Sequence, residues 1–480
     1  MEKYKNYIGG EWVSSITQEE IQVLNPANGD VLGYVPKAGA KETTEAIEAA
    51  HNALDEWASL PAQVRAKHLK KWYELMVQHQ EDIARTLTLE QGKPFPEALG
   101  EVKAAALFVE WYAEEAKRIY GEVIPASTNR KRIVVIKQPV GVVAAITPWN
   151  FPASMVTRKI APALAAGCPV ILKPATQTPL TALKIIELAD KAGLPKGVIN
   201  MVTGGAEAIG KTLMEDKRVS KVTFTGSTEV GKLLIKQSAD TVKRVSLELG
   251  GHAPYIVFDD ANIDKAVAEV MDSKIRNCGQ MCVATNRFYV QEDVVDAFVD
   301  KLKERFSSFI IGNGIEDGVH IGPLIDRKAY EKVENHIQDA VSKGAEIVFG
   351  GKGYHEGDHQ DSGYFYQPTV LINVTDDMLV MHEETFGPVL PIKSFKTEDE
   401  VIKAANNTDY GLAVYLFTES LSRGIQVSEK LQYGIVGLND GGPATVQAPF
   451  GGFKESGIGR EGGHHGLDPF LEIKYISIGV

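Results

Sequence analysis

Cys282 is the residue whose surroundings most clearly suggest nucleophilic chemistry. It ends the stretch RNCGQMC at 276–282, in which Gly279 and Gln280 interrupt the preceding apolar pattern. A predicted strand at 287–290 follows. These neighbours predict that the thiol lies in a loop or at a helix end, where a thiolate forms more easily. A cysteine in an apolar run is also commonly a core residue, and the spacing alone leaves that alternative open.

Two further side chains would complement such a nucleophile. Glu248, in VSLELGG at 245–251, lies between two leucines, and partial burial would raise its pKa toward that of a general base. Asn150, in TPWNFP at 147–152, follows an apolar strand and lies in a segment that two prolines make rigid, which suits an oxyanion donor. An exposed strand residue and an ordinary turn are the simpler alternatives for these two positions.

The elements that must position these residues form an alternating pattern. Apolar residues at three- and four-residue spacing predict helices at 42–57, 63–90, 96–118, 178–192, 294–309, 327–343 and 397–406. Short apolar runs bounded by Gly, Pro or Asp predict buried strands at 142–146, 169–172, 198–202, 221–224, 253–258 and 287–290. Because strands and helices alternate in both halves, we expect an α/β fold with parallel sheets.

Two β-type stretches and one glycine-rich stretch do not follow this pattern. Residues 122–137 predict a hairpin, and residues 475–480 predict a strand with no later partner. We expect both to be edge strands offered to a partner subunit. The stretch 434–463 is rich in glycine and poor in periodicity, so we expect it to wrap a functional cleft.

Composition narrows the classes of function. The chain has 480 residues, 44% of them apolar, and a net charge of −12. Such a charge argues against nucleic acid or an anionic membrane as the main partner. Three cysteines exclude a disulfide framework and fit a reducing compartment. No signal peptide is visible, and the longest apolar run, 160–172, is too short to cross a bilayer, so we expect a cytoplasmic protein.

Three motifs suggest other chemistries, and we give each little weight. Residues 205–212 satisfy the P-loop pattern of an NTPase, but Glu207 would place a carboxylate in the phosphate cradle and its neighbours already follow a helical pattern. The stretch HEETF at 382–386 lacks the second histidine of a zinc helix, and no metal site is expected. FTGSTEVG at 224–231 follows a strand and opens a helix, which is a weak dinucleotide signal.

Taken together and in order, the motifs resemble one family, the NAD(P)-dependent aldehyde dehydrogenases. The resemblance runs from YIGGEW at 7–12 to the C-terminus. The motifs that carry it are TPWNFP at 147, LKPATQTP at 172, FTGSTEVG at 224, LELGG at 247, GQMC at 279, EETFGPV at 383 and APFGGFKESGIGREGG at 448.

The resemblance implies a mechanism through Cys282. Its thiolate would attack the aldehyde carbon, and the Asn150 amide and the Cys282 backbone N–H would hold the oxyanion. Hydride would pass to the nicotinamide and leave a thioester, and Glu248 would activate the water that hydrolyses it. A purely structural or binding protein on this fold would need none of these three residues.

The resemblance also assigns cofactor residues. Trp149 and Lys173 would contact the adenosine half, Gly226 and Ser227 the pyrophosphate, Glu384 the nicotinamide ribose, and Phe386 the ring. Where NAD-specific members commonly have Glu, three positions after Lys173, this chain has Thr176. Loss of that carboxylate removes repulsion of a 2′-phosphate, so we expect NADP to serve at least as well as NAD.

Two arginines indicate the substrate class. Members that act on succinate semialdehyde have Arg at the positions of Arg158 and Arg276, where it binds the remote carboxylate. Thr445 is a further candidate contact for that carboxylate, and surface salt bridges are the alternative for the arginines. Glutarate semialdehyde remains an alternative substrate, because one methylene changes binding by only about 1–3 kcal/mol.

The same resemblance supplies the remaining expectations. It implies an NAD(P)-binding domain with a Rossmann-like fold over 1–118 and 139–250, and an α/β catalytic domain over 251–450. Residues 119–138 and 460–480 would form a β oligomerisation element of a homotetramer, with a dimer as second choice. We also consider a reversible Cys278–Cys282 disulfide, although a small space-filling thiol at Cys278 is the simpler interpretation.

Overall fold

The computed structural model describes residues 2–354 and 363–480. Its α-helices are α1 (Ala40–Ser59), α2 (Ala62–Gln78), α3 (Gln80–Gln91), α4 (Phe95–Glu115), α5 (Ser154–Ala166), α6 (Pro179–Lys191), α7 (Ala206–Glu215), α8 (Thr228–Ser238), α9 (Ile263–Val270), α10 (Val295–Ser307), α11 (Arg327–Ser342), α12 (Glu398–Asn406) and α13 (Leu421–Lys430). No helix of these described residues is long and apolar enough to cross a membrane.

The strands occur between these helices along most of the chain. They are β1 (Asn6–Ile8), β2 (Glu11–Val13), β3 (Glu20–Leu24), β4 (Val31–Pro36), β5 (Glu122–Ile124), β6 (Lys131–Pro139), β7 (Val142–Ile146), β8 (Val170–Lys173), β9 (Ile199–Met201), β10 (Val219–Thr225), β11 (Arg244–Glu248), β12 (Ala253–Val257), β13 (Thr285–Gln291), β14 (Glu346–Phe349), β15 (Gly353–Tyr354), β16 (Phe365–Tyr366), β17 (Thr369–Ile372), β18 (Val389–Phe395), β19 (Ala413–Phe417), β20 (Ile435–Leu438), β21 (Gly457–Ile458) and β22 (Leu471–Gly479).

Two large sheets with parallel centres form the body of the molecule. The first has the order β2-β1-β9-β8-β7-β10-β11-β21, and β7 to β11 run parallel within it. The second has the order β14-β17-β18-β13-β12-β19-β20, with β14 alone antiparallel to its neighbour. Helices supply the crossovers that parallel strands need. The predicted α/β fold with parallel sheets is confirmed.

A small antiparallel sheet has the order β22-β6-β5. The predicted hairpin is confirmed, since β5 and β6 pair at three positions from Glu122 to Ile124. The expectation that the C-terminal strand lacks a partner within the chain is wrong. β22 pairs with β6 from Leu471↔Pro139 to Gly479↔Lys131. Long-range pairing of this kind leaves no local pattern in the sequence, because each strand only shows that it is a strand.

One predicted helix is two. The periodic stretch 63–90 is divided at His79, whose backbone (φ −105°, ψ 16°) ends α2 and begins α3. The helices on either side each bury an apolar face, with Trp72 and Leu87 fully buried. No proline or glycine lies at the division, so the apolar spacing in the sequence continues across it and predicts a single helix.

Candidate active site

The carboxyl ends of four parallel strands meet at one edge of the first sheet. Ile146, the last residue of β7, pairs with Lys173 at the end of β8 and with Phe224 in β10. Thr225, the last residue of β10, pairs with Glu248, the last residue of β11. The loops that follow these strands carry Trp149, Asn150, Gly226 and Ser227. Sheet topology therefore gathers sequence motifs that lie far apart in the chain, as it does in other doubly wound sheets.

Cys282 approaches this edge from the second sheet, on the loop that leads into β13. The loop turns through the left-handed region at Asn277 (φ 53°) and Gly279 (φ 74°). Gln280 fixes it from the inside: its Nε2 donates to the Asn277 carbonyl at 3.1 Å, and its Oε1 accepts from the Ile325 N–H at 2.9 Å. Because both ends of the Gln280 amide are bonded, the position of the neighbouring thiol is set by buried contacts.

Two cavities share the Cys282 side chain. The first, which we call the arginine cavity, has a volume of about 310 Å³, and its lining includes Glu97, Phe108, Phe151, Arg158, Arg276 and Phe450. The second, which we call the strand-edge cavity, has a volume of about 320 Å³, and its lining includes Trp149, Asn150, Gly226, Ser227, Glu384 and Phe386. Cys282 lines both, so its sulfur can be reached from either side.

The protonation state of this thiol differs from the prediction. Burial raises the pKa of Cys282 to about 12, and the Glu384 and Glu248 carboxylates act in the same direction while Arg158 opposes them. The side chain is accessible to the cavities yet lies deep below the molecular surface, where the charged form loses its hydration. Burial and these two carboxylates thus oppose the easier thiolate formation that the loop position predicts.

The Asn150 side chain reaches the same loop. Its Nδ2 donates to the Gln280 carbonyl at 3.0 Å, and its Oδ1 has no hydrogen-bond partner among the described residues. The Asn150 carbonyl accepts from Lys93 Nζ at 2.8 Å and from Asn277 Nδ2 at 3.1 Å. Backbone and side chain are thus both held, which leaves the second N–H of the amide available beside the strand-edge cavity.

Glu248 is buried at the end of β11, as its sequence context predicts. Burial raises its pKa well above the usual value, the Glu461 carboxylate adds to the rise, and the charges of Lys159 and Arg158 oppose it. Its Oε2 has no hydrogen-bond partner within the described part of the chain. It is not among the residues that line either cavity around Cys282, although its charge acts on the Cys282 thiol.

The two predicted arginines lie in one cavity without carboxylate partners. The Arg158 guanidinium lies between two rings, with its Cζ 4.8 Å from the centroid of Phe108 and 4.4 Å from that of Phe450. The Arg276 Cζ lies 6.0 Å from the centroid of Phe151. Neither arginine forms an ion pair within residues 2–354 and 363–480, and the Nε of each has no hydrogen-bond partner there. Arg158 is buried and Arg276 is partly exposed, and two cations without an ion pair in one cavity fit an anionic ligand better than a structural role.

The strand-edge cavity combines backbone turns with aromatic walls. Ser227 is the N-cap of α8, and its hydroxyl accepts from the Val230 N–H at 3.4 Å. Trp149 and Phe386 meet edge to face with 5.6 Å between centroids. Glu384 Oε1 accepts from the Gly251 N–H at 3.0 Å, and burial raises the pKa of this carboxyl to about 7. A helix N-terminus beside an apolar slot suits an anion joined to a flat ring.

Like Glu248, three further predicted residues lie outside these two cavities. Lys173 is buried at the end of β8 and donates to the Pro174 carbonyl at 3.0 Å. Thr176 bonds the Gly204 carbonyl at 3.4 Å and lines a separate cavity. Thr445 is exposed and bonds the Gln447 side chain, whereas its neighbours Ala444 and Val446 line the arginine cavity. Thr445 thus lies outside the arginine cavity, and its expected contact with a substrate carboxylate gains no support from this geometry.

The glycine-rich stretch contributes to the arginine cavity as expected. Ala444, Val446 and Phe450 come from it. One group of charged residues was missed. Lys93 Nζ pairs with Glu101 Oε2 at 2.5 Å in a buried position, and Glu97 Oε2 accepts from the Asn277 N–H at 2.8 Å. The four-residue spacing of Lys93, Glu97 and Glu101 is the signal that could have identified a common face.

The P-loop pattern at 205–212 does not form a phosphate-binding loop in the structure. Residues 206–215 are already helix α7, and Lys211 pairs with Glu215 at the surface. No group of three or more potential metal ligands is found in the described ranges. Cys168, Cys278 and Cys282 are unpaired. Cys168 is fully buried. The geometry of these residues supports neither the P-loop alternative nor the disulfide alternative.

Comparisons with known proteins agree on one family. A family model described as "Aldehyde dehydrogenase family" matches residues 12–476. The NADP(+) succinate-semialdehyde dehydrogenase GabD of Escherichia coli strain K12 is 55% identical over 473 residues, which cover 98% of this chain and 97% of that protein. A glutarate-semialdehyde dehydrogenase of Pseudomonas aeruginosa is 54% identical, with the same coverage. A crystal structure of an E. coli NADP-dependent enzyme has a TM-score of 0.97 and 55% identity, and the match covers 100% of this chain and 98% of that one.

Proposed function

The chain belongs to the aldehyde dehydrogenase family, and on that premise we propose that it oxidises succinate semialdehyde to succinate with NADP or NAD as the oxidant. The observation that carries the substrate class is the pair Arg158 and Arg276. Both line a cavity that ends at Cys282, and neither has a carboxylate partner in the described structure.

Cys282 is the proposed nucleophile. Its sulfur would attack the aldehyde carbon from the wall between the cavities and form a thiohemiacetal. The free N–H of the Asn150 amide and the backbone N–H of Cys282 would donate hydrogen bonds to the oxyanion. After oxidation a thioester remains on Cys282, and water must hydrolyse it.

Glu248 is the proposed general base for that water. A raised pKa makes the ionised Glu248 carboxylate a stronger base toward water than an ordinary carboxylate is. Since Glu248 lies just outside both cavities, its side chain would have to rotate toward Cys282 or act through one water.

The strand-edge cavity is the proposed site for the nicotinamide half of the cofactor. Gly226 and Ser227 would face the pyrophosphate at the start of α8, Glu384 would accept hydrogen bonds from the ribose, and Phe386 would lie against the nicotinamide ring. Trp149, which meets Phe386 edge to face, would contact the adenosine half. A bound nicotinamide supplies the hydride acceptor. Lys173 and Thr176 would contact the adenosine half, and Thr176 in place of a carboxylate supports use of NADP at least equal to that of NAD.

A relative that acts on glutarate semialdehyde matches this chain almost as well as one that acts on succinate semialdehyde. The arginine cavity accepts an ω-carboxylate in either reading, and chain length is a matter of one methylene. We favour the shorter substrate because the C-terminal stretch NDGGP at 439–443 resembles that subgroup.

The test is the rate of NADPH and NADH formation with succinate semialdehyde, glutarate semialdehyde and acetaldehyde. We compare wild type with the double variant Arg158→Ala/Arg276→Ala. The double variant should lose at least about a hundredfold in kcat/KM for succinate semialdehyde and keep its rate with acetaldehyde. A wild type that prefers acetaldehyde would remove the substrate proposal and leave the family unchanged.

Assembly and location are also proposals. The sheet β22-β6-β5 exposes apolar side chains, among them Val123 (79%), Ile473 (72%) and Tyr475 (59%). Surfaces of this kind support a homotetramer built from dimers, with residues 119–138 and 460–480 as the assembly element and a dimer as second choice. Sedimentation equilibrium decides between the tetramer and the dimer.

The proposed domains remain an NAD(P)-binding domain over 1–118 and 139–250 and a catalytic domain over 251–450. The three unpaired cysteines support a cytoplasmic location.

A further inference from the structure

Glu97 is an ionisable residue of the arginine cavity to which the reaction proposed above gives no role. It lies in the first turn of α4 and lines the cavity together with Arg158, Arg276 and Cys282. Its Oε2 accepts a hydrogen bond from the backbone N–H of Asn277 at 2.8 Å, in the loop that leads to Cys282. A carboxyl beside two cations in a site for carboxylates calls for an explanation.

The charges around Glu97 come from several elements. Those that act on it or share its cavity are Lys93 before α4, Glu101 on α4, Arg158 on α5, Asp272 and Arg276 before the Cys282 loop, and Cys278 and Cys282 within it. Lys93 is already paired with Glu101 at 2.5 Å. Asp272 is exposed. The charges in the cavity that no ion pair offsets are therefore the two arginines and Glu97.

Glu97 changes its charge in the range where enzymes work. Burial raises its pKa to about 7, although the Asn277 N–H, Lys93 and Arg276 all act to lower it. Ionised Glu97 offsets one of the two arginine charges, whereas protonated Glu97 leaves both available to a ligand. An incoming carboxylate, as a like charge, would in turn favour the protonated form.

We propose that Glu97 is a specificity-determining residue that takes up one proton from solvent when an ω-carboxylate aldehyde enters the arginine cavity. The substrate stays ionised, and the proton goes to the Glu97 carboxylate. Because linkage is reciprocal, protonation of Glu97 strengthens binding of the anionic substrate by the same factor. The inference rests on the proposed function, since it requires an anionic substrate in this cavity.

The experiment measures kcat/KM for succinate semialdehyde and for butanal, an uncharged aldehyde, from about pH 6 to about pH 9. The ratio of the two constants cancels the titration of groups that both reactions share, including Cys282, Glu248 and Glu384. In the wild type this ratio should fall by roughly tenfold across the range as Glu97 ionises.

The variant Glu97→Gln removes the charge and keeps an oxygen that can accept from the Asn277 N–H. Its ratio should stay level with pH and remain at the high value that the wild type shows at low pH. Glu114→Gln, on the same helix but at the surface in a pair with Lys117, is the matched control and should follow the wild type.

The outcomes separate the two proposals. If wild type and Glu97→Gln change in parallel with pH, Glu97 only positions the loop and the inference is overturned. If the wild type never favours succinate semialdehyde over butanal, the proposed function itself fails.

A second measurement covers a Glu97→Gln chain that does not fold. Titration calorimetry of butyrate into the wild type, in two buffers of different ionisation enthalpy, should show uptake of about half a proton per site near pH 7. Butyrate binding without proton uptake would overturn the inference.

Discussion

The two cavities that meet at Cys282 recognise their ligands by different means. The arginine cavity offers side-chain charge: Arg158 and Arg276 have no carboxylate partner in the described structure, and aromatic rings surround them. The strand-edge cavity combines the start of α8 and the turn after β11 with the charged side chains of Lys328, Lys332 and Glu384. Its acid, Glu384, already accepts a backbone hydrogen bond.

This difference has a consequence for Cys282. Arg158 on one side lowers the pKa of the thiol, while Glu384 and Glu248 raise it. Substitutions on the two sides should therefore act on separate ligands yet meet at one sulfur. The predictions below test that separation.

The largest effect is expected where the cavities join. Cys282→Ser replaces the sulfur with a hydroxyl of much higher pKa, so aldehyde oxidation should fall by at least about a thousandfold with every substrate and either cofactor. The measurement is the initial rate of NADPH formation, with circular dichroism to confirm the fold.

Cys278→Ala is the matched control, because Cys278 is fully buried and lines neither cavity. It should keep its rate within about threefold, as buried volume changes of this size mainly affect stability. Loss of activity in Cys278→Ala, or peroxide inactivation that dithiothreitol reverses only when Cys278 is present, would point instead to the Cys278–Cys282 disulfide.

A smaller effect is expected on the cofactor side alone. Thr176→Glu restores the carboxylate common in NAD-specific relatives, and repulsion of the 2′-phosphate should lower kcat/KM for NADP by about tenfold or more while NAD is little affected. The preference for succinate semialdehyde over acetaldehyde should not change, since Thr176 lies outside the arginine cavity.

Thr176→Gln supplies the control of similar size without charge and should keep NADP activity. If the wild type had a kcat/KM for NAD a hundredfold above that for NADP, the proposal that Thr176 admits NADP would be wrong.

Alkylation of Cys282 by iodoacetamide tests one charged residue from each cavity. Removing the two charges should change the alkylation rate in opposite directions. Because burial raises the pKa to about 12, the rate in the wild type should rise about tenfold per pH unit without a plateau below about pH 10. Glu384→Gln removes a charge that raises the pKa and should speed alkylation several-fold at fixed pH. Arg158→Gln removes a charge that lowers it and should slow alkylation. If both variants shift the rate in the same direction, changed access to the cavity is the better explanation.

The contrast between the cavities also explains what could be predicted from the sequence. Cys282, Glu248 and Asn150 could be proposed from residue type and motif, and the two arginines from the resemblance to the family. The α/β fold followed from alternating periodicity. The pairing of β22 with β6 could not be predicted, because partners 332 or more positions apart share no local signal.

The protonation state of Cys282 and the side toward which Thr445 points were harder to predict, for a physical reason. The high pKa of the Cys282 thiol depends on burial and on carboxylates from two other elements, none of which is near it in the chain. Whether Thr445 faces the arginine cavity depends on the backbone of residues 444–447, part of which is a turn, and no local sequence pattern determines that backbone. Both properties depend on tertiary packing, and the same sequence motif is compatible with either protonation state and either orientation.

Thr445→Ala should have the smallest effect, and it tests directly whether the Thr445 hydroxyl faces the arginine cavity. The Thr445 hydroxyl is exposed and bonds the Gln447 side chain, while Ala444 and Val446 line the arginine cavity. Removing the hydroxyl should therefore change KM for succinate semialdehyde by less than about twofold, since a surface substitution of this kind costs within about 0.5 kcal/mol. Steady-state kinetics beside Arg276→Ala, which does line the cavity, provides the scale. A rise in KM of about tenfold would mean that the segment moves on substrate binding and turns Thr445 inward, because a lost hydrogen bond to a carboxylate is worth about 1.5–3 kcal/mol.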